Sequence, residues 1–178
     1  MLTTKSNFWK WALPLIALSV ALDQFVKAIV LNTPVFHARE CLEPGATMRC
    51  GKIEMSSLLD WSMIWNYGVS YGLFQSDGIG RWILAILMFV IAIGFLYWLL
   101  RHAEGWLLRL SLALVVGGAF GNLIDRVRFG AVVDFINASD LFFPWVFNVA
   151  DAAISVGAVL LFIDQFLLSD RKQAKSQS

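Results

Sequence analysis

The sequence is short of charge. Only 15% of its 178 residues are Asp, Glu, Lys or Arg, and 58% are hydrophobic. A soluble domain carries about 25% charged and about 45–50% apolar residues. A water-soluble globule is excluded for want of polar surface, and a disordered chain because such chains are poor in apolar residues. The 14 basic and 13 acidic side chains leave no basic excess for a nucleic-acid surface. Cysteine and histidine are scarce, two of each, and only His37 lies near Cys41 and Cys50, too few ligands for a metal site. What fits is an all-α membrane protein, one domain over residues 1–178, in which every charge inside a span needs a reason.

Uninterrupted apolar runs are also few. Trp82 to Leu100 has no charge and approaches the about 20 residues that a span requires. The other candidates are broken by Asp23 and Lys27, by Arg109 and Asp125, and by Asp151 and Asp164. The reading is four transmembrane helices, near 9–31, 82–100, 106–125 and 147–168. Lys5, Lys10 and the apolar run after them imitate a cleaved signal peptide, but apolar residues resume from Phe25 to Leu31, so the helix is expected to be retained. Basic residues are denser in 1–10, 101–109 and 169–178 than in the longer connections, which puts both termini in the cytoplasm. The segment 32–81 then lies outside. It is rich in turn formers, with short apolar clusters from Ile53 to Tyr67 that read as strands on the membrane surface. Trp61, Trp65, Trp82 and Trp145 suit an interfacial belt. Cys41 and Cys50 face an oxidising compartment there, which favours a disulfide as a local staple over two free thiols. The polar tail 169–178 is expected to be loose.

Under this topology the polar interruptions fall at one level. Asp23 and Lys27 lie near the outer end of the first helix, and Asn122, Asp125 and Arg126 at the outer end of the third. Asp134 sits in the following short loop, Asn148 and Asp151 start the fourth helix, and Asn66 comes from the outer segment. Each has a bland reading. Asp23 and Lys27 suit a helix ion pair, Asn148 with Asp151 a helix cap, and Gly117 with Gly121 a close packing face. Yet a charge at a helix centre costs about 2.5–3.5 kcal/mol on insertion scales, and several such costs at one level point to a site. Asp134 and Asp151 each sit in an apolar run. Two carboxylates there would share one proton, giving a base to activate water and an acid to protonate a carbonyl.

Three other readings compete. Gly68-Val69-Ser70-Tyr71-Gly72 matches the G-x-S-x-G elbow of serine hydrolases, but the chain has no α/β alternation, and its only downstream histidine, His102, is predicted on the opposite side. A proton- or cation-coupled transporter would place its acids near the midplane, whereas here only Asp164 lies away from the outer cluster. A non-catalytic scaffold would use the same cluster merely to hold helices together.

Taken in order, Leu22-Asp23-Gln24 with Lys27, Asn66 with Gly68, Gly121 to Arg126, Val132 to Phe135 and Phe147 to Asp151 resemble the motif series of bacterial lipoprotein signal peptidase, or signal peptidase II. The resemblance covers roughly 10–168. It implies an aspartic endopeptidase of the bacterial inner membrane that removes the signal peptide from diacylglyceryl-modified prolipoproteins, cutting before the lipidated cysteine. It implies a catalytic pair at Asp134 and Asp151, and supporting or substrate-binding roles for Asp23, Lys27, Asn66, Asn122, Asp125, Arg126 and Asn148. It implies no metal and no cofactor, a multi-pass monomer among membrane lipids, a site near the periplasmic face, and a small β-containing segment with a short surface helix between helices 1 and 2. Val69 and Ser70 depart from the family's small alanines, and the segment around Cys41 and Cys50 resembles an insertion.

Overall fold

The structure is a computed structural model that describes residues 9–36, 50–56, 58–68, 79–141 and 143–168. Cys41, and with it the expected bridge to Cys50, lies outside the described residues, as do His37, Val69, Ser70 and the tail.

Four helices form the body: α1 (Trp9–Leu31), α2 (Ile79–Arg101), α3 (Trp106–Phe129) and α4 (Val149–Phe162), the last continued by a wider π-helical turn over Ile163–Leu168. All four, α4 with its extension, are long and apolar enough to cross a membrane. Their sides carry bare apolar groups, including Leu18 and Phe25 on α1, Ile86 and Val90 on α2, and Val159 and Phe162 on α4. Such surface suits lipid hydrocarbon rather than water. The inner helix is α3, which packs against the other three, with Leu112, Ala113 and Val116 fully buried. Its glycines allow this. A Cβ on Gly117 would lie 2.7 Å from Ser19 Cβ of α1, and one on Gly118 would meet the Ala150 carbonyl of α4. The packing reading of this stripe is correct.

A four-stranded antiparallel sheet closes one end of the bundle, in the order β1 (Cys50–Glu54), β2 (Asp60–Asn66), β3 (Val132–Asn137), β4 (Val146–Phe147). Two strands come from the segment between α1 and α2, where the sequence predicts strands. The other two come from the connection between α3 and α4, which the sequence reading treats as a loop. Val132, Val133, Phe135 and Ile136 are good strand formers, and their alternation sets the direction of Asp134. Val133 and Phe135 join Met63, Trp65, Val30 and Phe36 in an apolar core beneath the sheet, so Asp134 between them points to the other face.

Helix ends are fixed locally. Gly130 takes a left-handed conformation (φ 78°) and its N–H bonds the Arg126 carbonyl at 3.0 Å, ending α3 two residues before β3. Thus α3 runs past the expected 125 to Phe129, which carries Asp125 and Arg126 inside the helix. The last helix starts at Val149 rather than 147, and α2 spans Ile79–Arg101 rather than 82–100.

Candidate active site

At the sheet end of the bundle, Asp23, Lys27, Asn66, Asn122, Asp125, Asp134, Asn148 and Asp151 enter one continuous polar network, and Arg126 lies beside it. Its foundation is Lys27. The ammonium has three protons and three acceptors: Asp23 Oδ2 at 2.8 Å, Asp125 Oδ2 at 2.7 Å and Asn122 Oδ1 at 3.0 Å. All three charged groups are almost fully buried. The expected helix ion pair of Asp23 with Lys27 is present, and α3 extends it into a triad. Asp23 reaches further: its Oδ1 accepts from the Ala150 N–H at 2.9 Å, in the first turn of α4. An anion is favoured there by the unpaired N–H groups and the helix dipole. Gly121 makes room, since a Cβ on it would lie 2.7 Å from Asp23 Oδ2. Asp125 also ties helix to sheet by accepting from the Val133 N–H at 3.1 Å.

Above this foundation, three carboxamides orient two further carboxylates. Asn122, whose Oδ1 is taken by Lys27 and by Asn148 Nδ2, must present its Nδ2 outward. That nitrogen donates to Asp151 Oδ1 at 2.7 Å. Asn148 caps α4. Its Oδ1 accepts from the Asp151 N–H at 2.8 Å, and Asp151 Oδ2 accepts from the Asn148 N–H at 3.2 Å. This is the capping box that the bland reading foresaw. The same Asn148 sends Nδ2 to Asp134 Oδ1 at 2.7 Å and to Asn122 Oδ1 at 3.0 Å, which uses both its protons. The cap and the site are one structure. Asn66 completes it: Nδ2 donates to Asp134 Oδ2 at 2.8 Å, while Oδ1 accepts from the Gly68 N–H at 2.8 Å. This local turn explains the spacing of Asn66 and Gly68.

Every oxygen of Asp134 and Asp151 therefore has a donor, and each of these donors is neutral. Asp134 is 2% exposed. Burial first, and the Asp151 charge second, raise its pKa from 3.8 to about 7, against the lowering effect of Asn66 and Asn148. Asp151 is half-buried and Asn66 is exposed, whereas Lys27 and Asp23 are sealed. The carboxylate pair thus opens on the Asn66 side. Arg126 borders it. Its guanidinium lies against Gly68, where a Cβ would sit 2.7 Å from Nη2, and within electrostatic reach of Asp134 and Asp151. The positive φ of Gly68, 96°, also disfavours any side chain there.

Gln24 stands in the first-helix motif, but the sequence reading gives it no role. Its Nε2 bonds Asp125 Oδ1 at 2.9 Å and the Gly121 carbonyl at 3.1 Å, a second link from α1 to α3. Its signal was available: a carboxamide between two candidates in an apolar run. The backbone donors of Ala150 and Val133 carry no signal in residue type.

The signal peptidase (SPase) II family model matches residues 15–167. The lipoprotein signal peptidase of Caulobacter vibrioides is 43% identical over 158 residues, 88% of this chain and 86% of that protein. That of Acinetobacter baumannii is 36% identical over 171 residues, 93% and 89% of the two chains. Among solved structures, a bacterial membrane enzyme superposes with a TM-score of 0.73 at 25% identity, covering 92% of this chain and 97% of its own.

Proposed function

Since the chain belongs to the signal peptidase II family and is an aspartic endopeptidase of prolipoprotein signal peptides, we propose that Asp134 and Asp151 are its catalytic pair. The observation that carries this is their shared mounting: two carboxylates on neutral amides, one buried and raised to about 7, at the open side of the network. Near neutral pH the pair enters the reaction with one proton, held on Asp134. Asp151 takes a proton from water as the water oxygen attacks the scissile carbonyl carbon. Asp134 gives its proton to the carbonyl oxygen, forming a tetrahedral diol. On collapse, the proton on Asp151 passes to the leaving nitrogen, the C–N bond breaks, and Asp134 recovers a proton from the re-forming carboxyl group. The pair is restored and one water is consumed.

Asp23, Lys27 and Asp125 act from below by fixing Asn122, the start of α4 and the start of β3. Asn66, Asn122 and Asn148 aim the carboxylates, and Arg126 lines the entrance. The substrate is a prolipoprotein with a diacylglyceryl cysteine, cut on the amino side of that cysteine. A pair at the membrane boundary meets the bond while the acyl chains stay in lipid. The chain is a multi-pass membrane protein. Arg101 and Arg109 lie at the bundle end opposite the sheet, which supports cytoplasmic termini and a periplasmic site in the inner membrane.

Two measurements test this reading. Purified protein is expected to cleave a lipidated precursor and leave its unlipidated form intact; equal cleavage of both would reject the substrate class. A reporter fused after residue 178 is expected to read out in the cytoplasm, and a periplasmic signal would reverse the topology.

A further inference from the structure

Arg126 is held in an unusual way. It is 8% exposed, and its Nε donates to the thioether sulfur of Met88 on α2 at 3.1 Å. Its terminal nitrogens rest on Gly68, and Nη1 is buried with no hydrogen-bond partner among the described residues. A buried guanidinium nitrogen without a partner is costly. A thioether is a weak, neutral acceptor. It orients the donor without cancelling the charge, as a carboxylate would. The guanidinium is planar and rigid, so fixing Nε fixes the directions of both Nη groups. A long cationic side chain beside hydrocarbon otherwise turns toward interfacial water.

We propose that Met88 is a positioning residue for Arg126: its sulfur sets the guanidinium plane so that Nη1 stays available, beside the carboxylate pair, to a carbonyl oxygen of the bound lipopeptide. Met88 touches neither substrate nor reacting atoms, and the inference rests on the catalytic reading above. Its design parallels that of the pair, where neutral groups aim charged ones.

The test uses the full chain in detergent micelles with a synthetic diacylglyceryl peptide. Met88→Leu keeps the bulk and removes the acceptor, and Met88→Gln supplies an acceptor oxygen. Losing one hydrogen bond of this kind is expected to raise KM about three- to tenfold in Met88→Leu while kcat holds. Met88→Gln is expected to return KM to the wild-type value. In an Arg126→Lys background, which has no Nε, Met88→Leu is expected to add nothing further. The Arg126 Nε–H resonance reports the same bond without any turnover: it is expected to shift and to exchange faster in Met88→Leu. An unchanged KM and resonance in Met88→Leu would overturn the proposal. So would equal defects in the Leu and Gln variants, or additive effects with Arg126→Lys. Failure of the catalytic reading looks different, as retained cleavage by the carboxylate variants with the Nε–H response intact.

Discussion

Two groups of carboxylates lie side by side in this protein and are held by opposite means. Asp23 and Asp125 grip a common ammonium at 2.8 and 2.7 Å. Among the described residues, Asp134 and Asp151 are bound by amide N–H groups alone, from Asn66, Asn122, Asn148 and the backbone. The first arrangement fixes charge, and with it the relation of α1, α3 and α4. The second fixes direction and leaves protonation free to change. A cation bonded directly to Asp134 would hold its carboxyl ionised at neutral pH. With amides in that place, burial prevails and the group sits near 7. Asn122 bonds both groups, Lys27 through its oxygen and Asp151 through its nitrogen, so the charged one can orient the titratable one without neutralising it.

Substitutions should separate the groups. The largest effect is expected from Asp151→Asn: a loss of cleavage of about 10³-fold or more, as for removal of a catalytic base, in a protein that still folds at a cost of about 1 kcal/mol for the one acceptor lost. Lys27→Met should do the reverse and act through folding. Leaving two carboxylates buried without their cation costs about 3–5 kcal/mol, seen as a lowered melting temperature and poor recovery of folded protein. Gly121→Ala forces a methyl group against Asp23 and should cost about 1–3 kcal/mol, with turnover falling because α4 shifts.

A pH series addresses the titratable group alone. Asp134 must be protonated to act as the acid, so kcat/KM is expected to fall as pH rises through about 7. The stability consequence has the same direction. Between 3.8 and about 7 the folded state holds a proton that the unfolded state has lost, so stability decreases as pH rises across that window and stays lower above it. Asp134→Asn should abolish that slope. The smallest effect is expected from Gln24→Leu, at about 1 kcal/mol of stability for the lost hydrogen bonds. The charged group would be loosened and the carboxylate pair left in place.

The sequence made one of these groups more legible than the other. Asp23 and Lys27 stand out because charges in an apolar helix are conspicuous, and their spacing of four already pairs them. Asp134 was picked out by its apolar neighbours, but the strand that aims it was not recognised, since a six-residue run after a glycine reads equally well as a loop. The carboxamides were found as motif members, without their division of labour. That division depends on which amide proton meets which oxygen, and so on the meeting of α1, α3, β2, β3 and α4 in space. Met88 has no sequence signal, because an apolar thioether inside a span looks like packing, and Gln24 is legible only as a motif member without a role.

The most direct test of the account is the turnover of a diacylglyceryl prolipoprotein by purified Asp134→Asn whose folding has been verified by thermal unfolding. The account predicts no detectable cleavage at any pH in a protein that remains folded. Cleavage at the wild-type rate by that folded variant would contradict it.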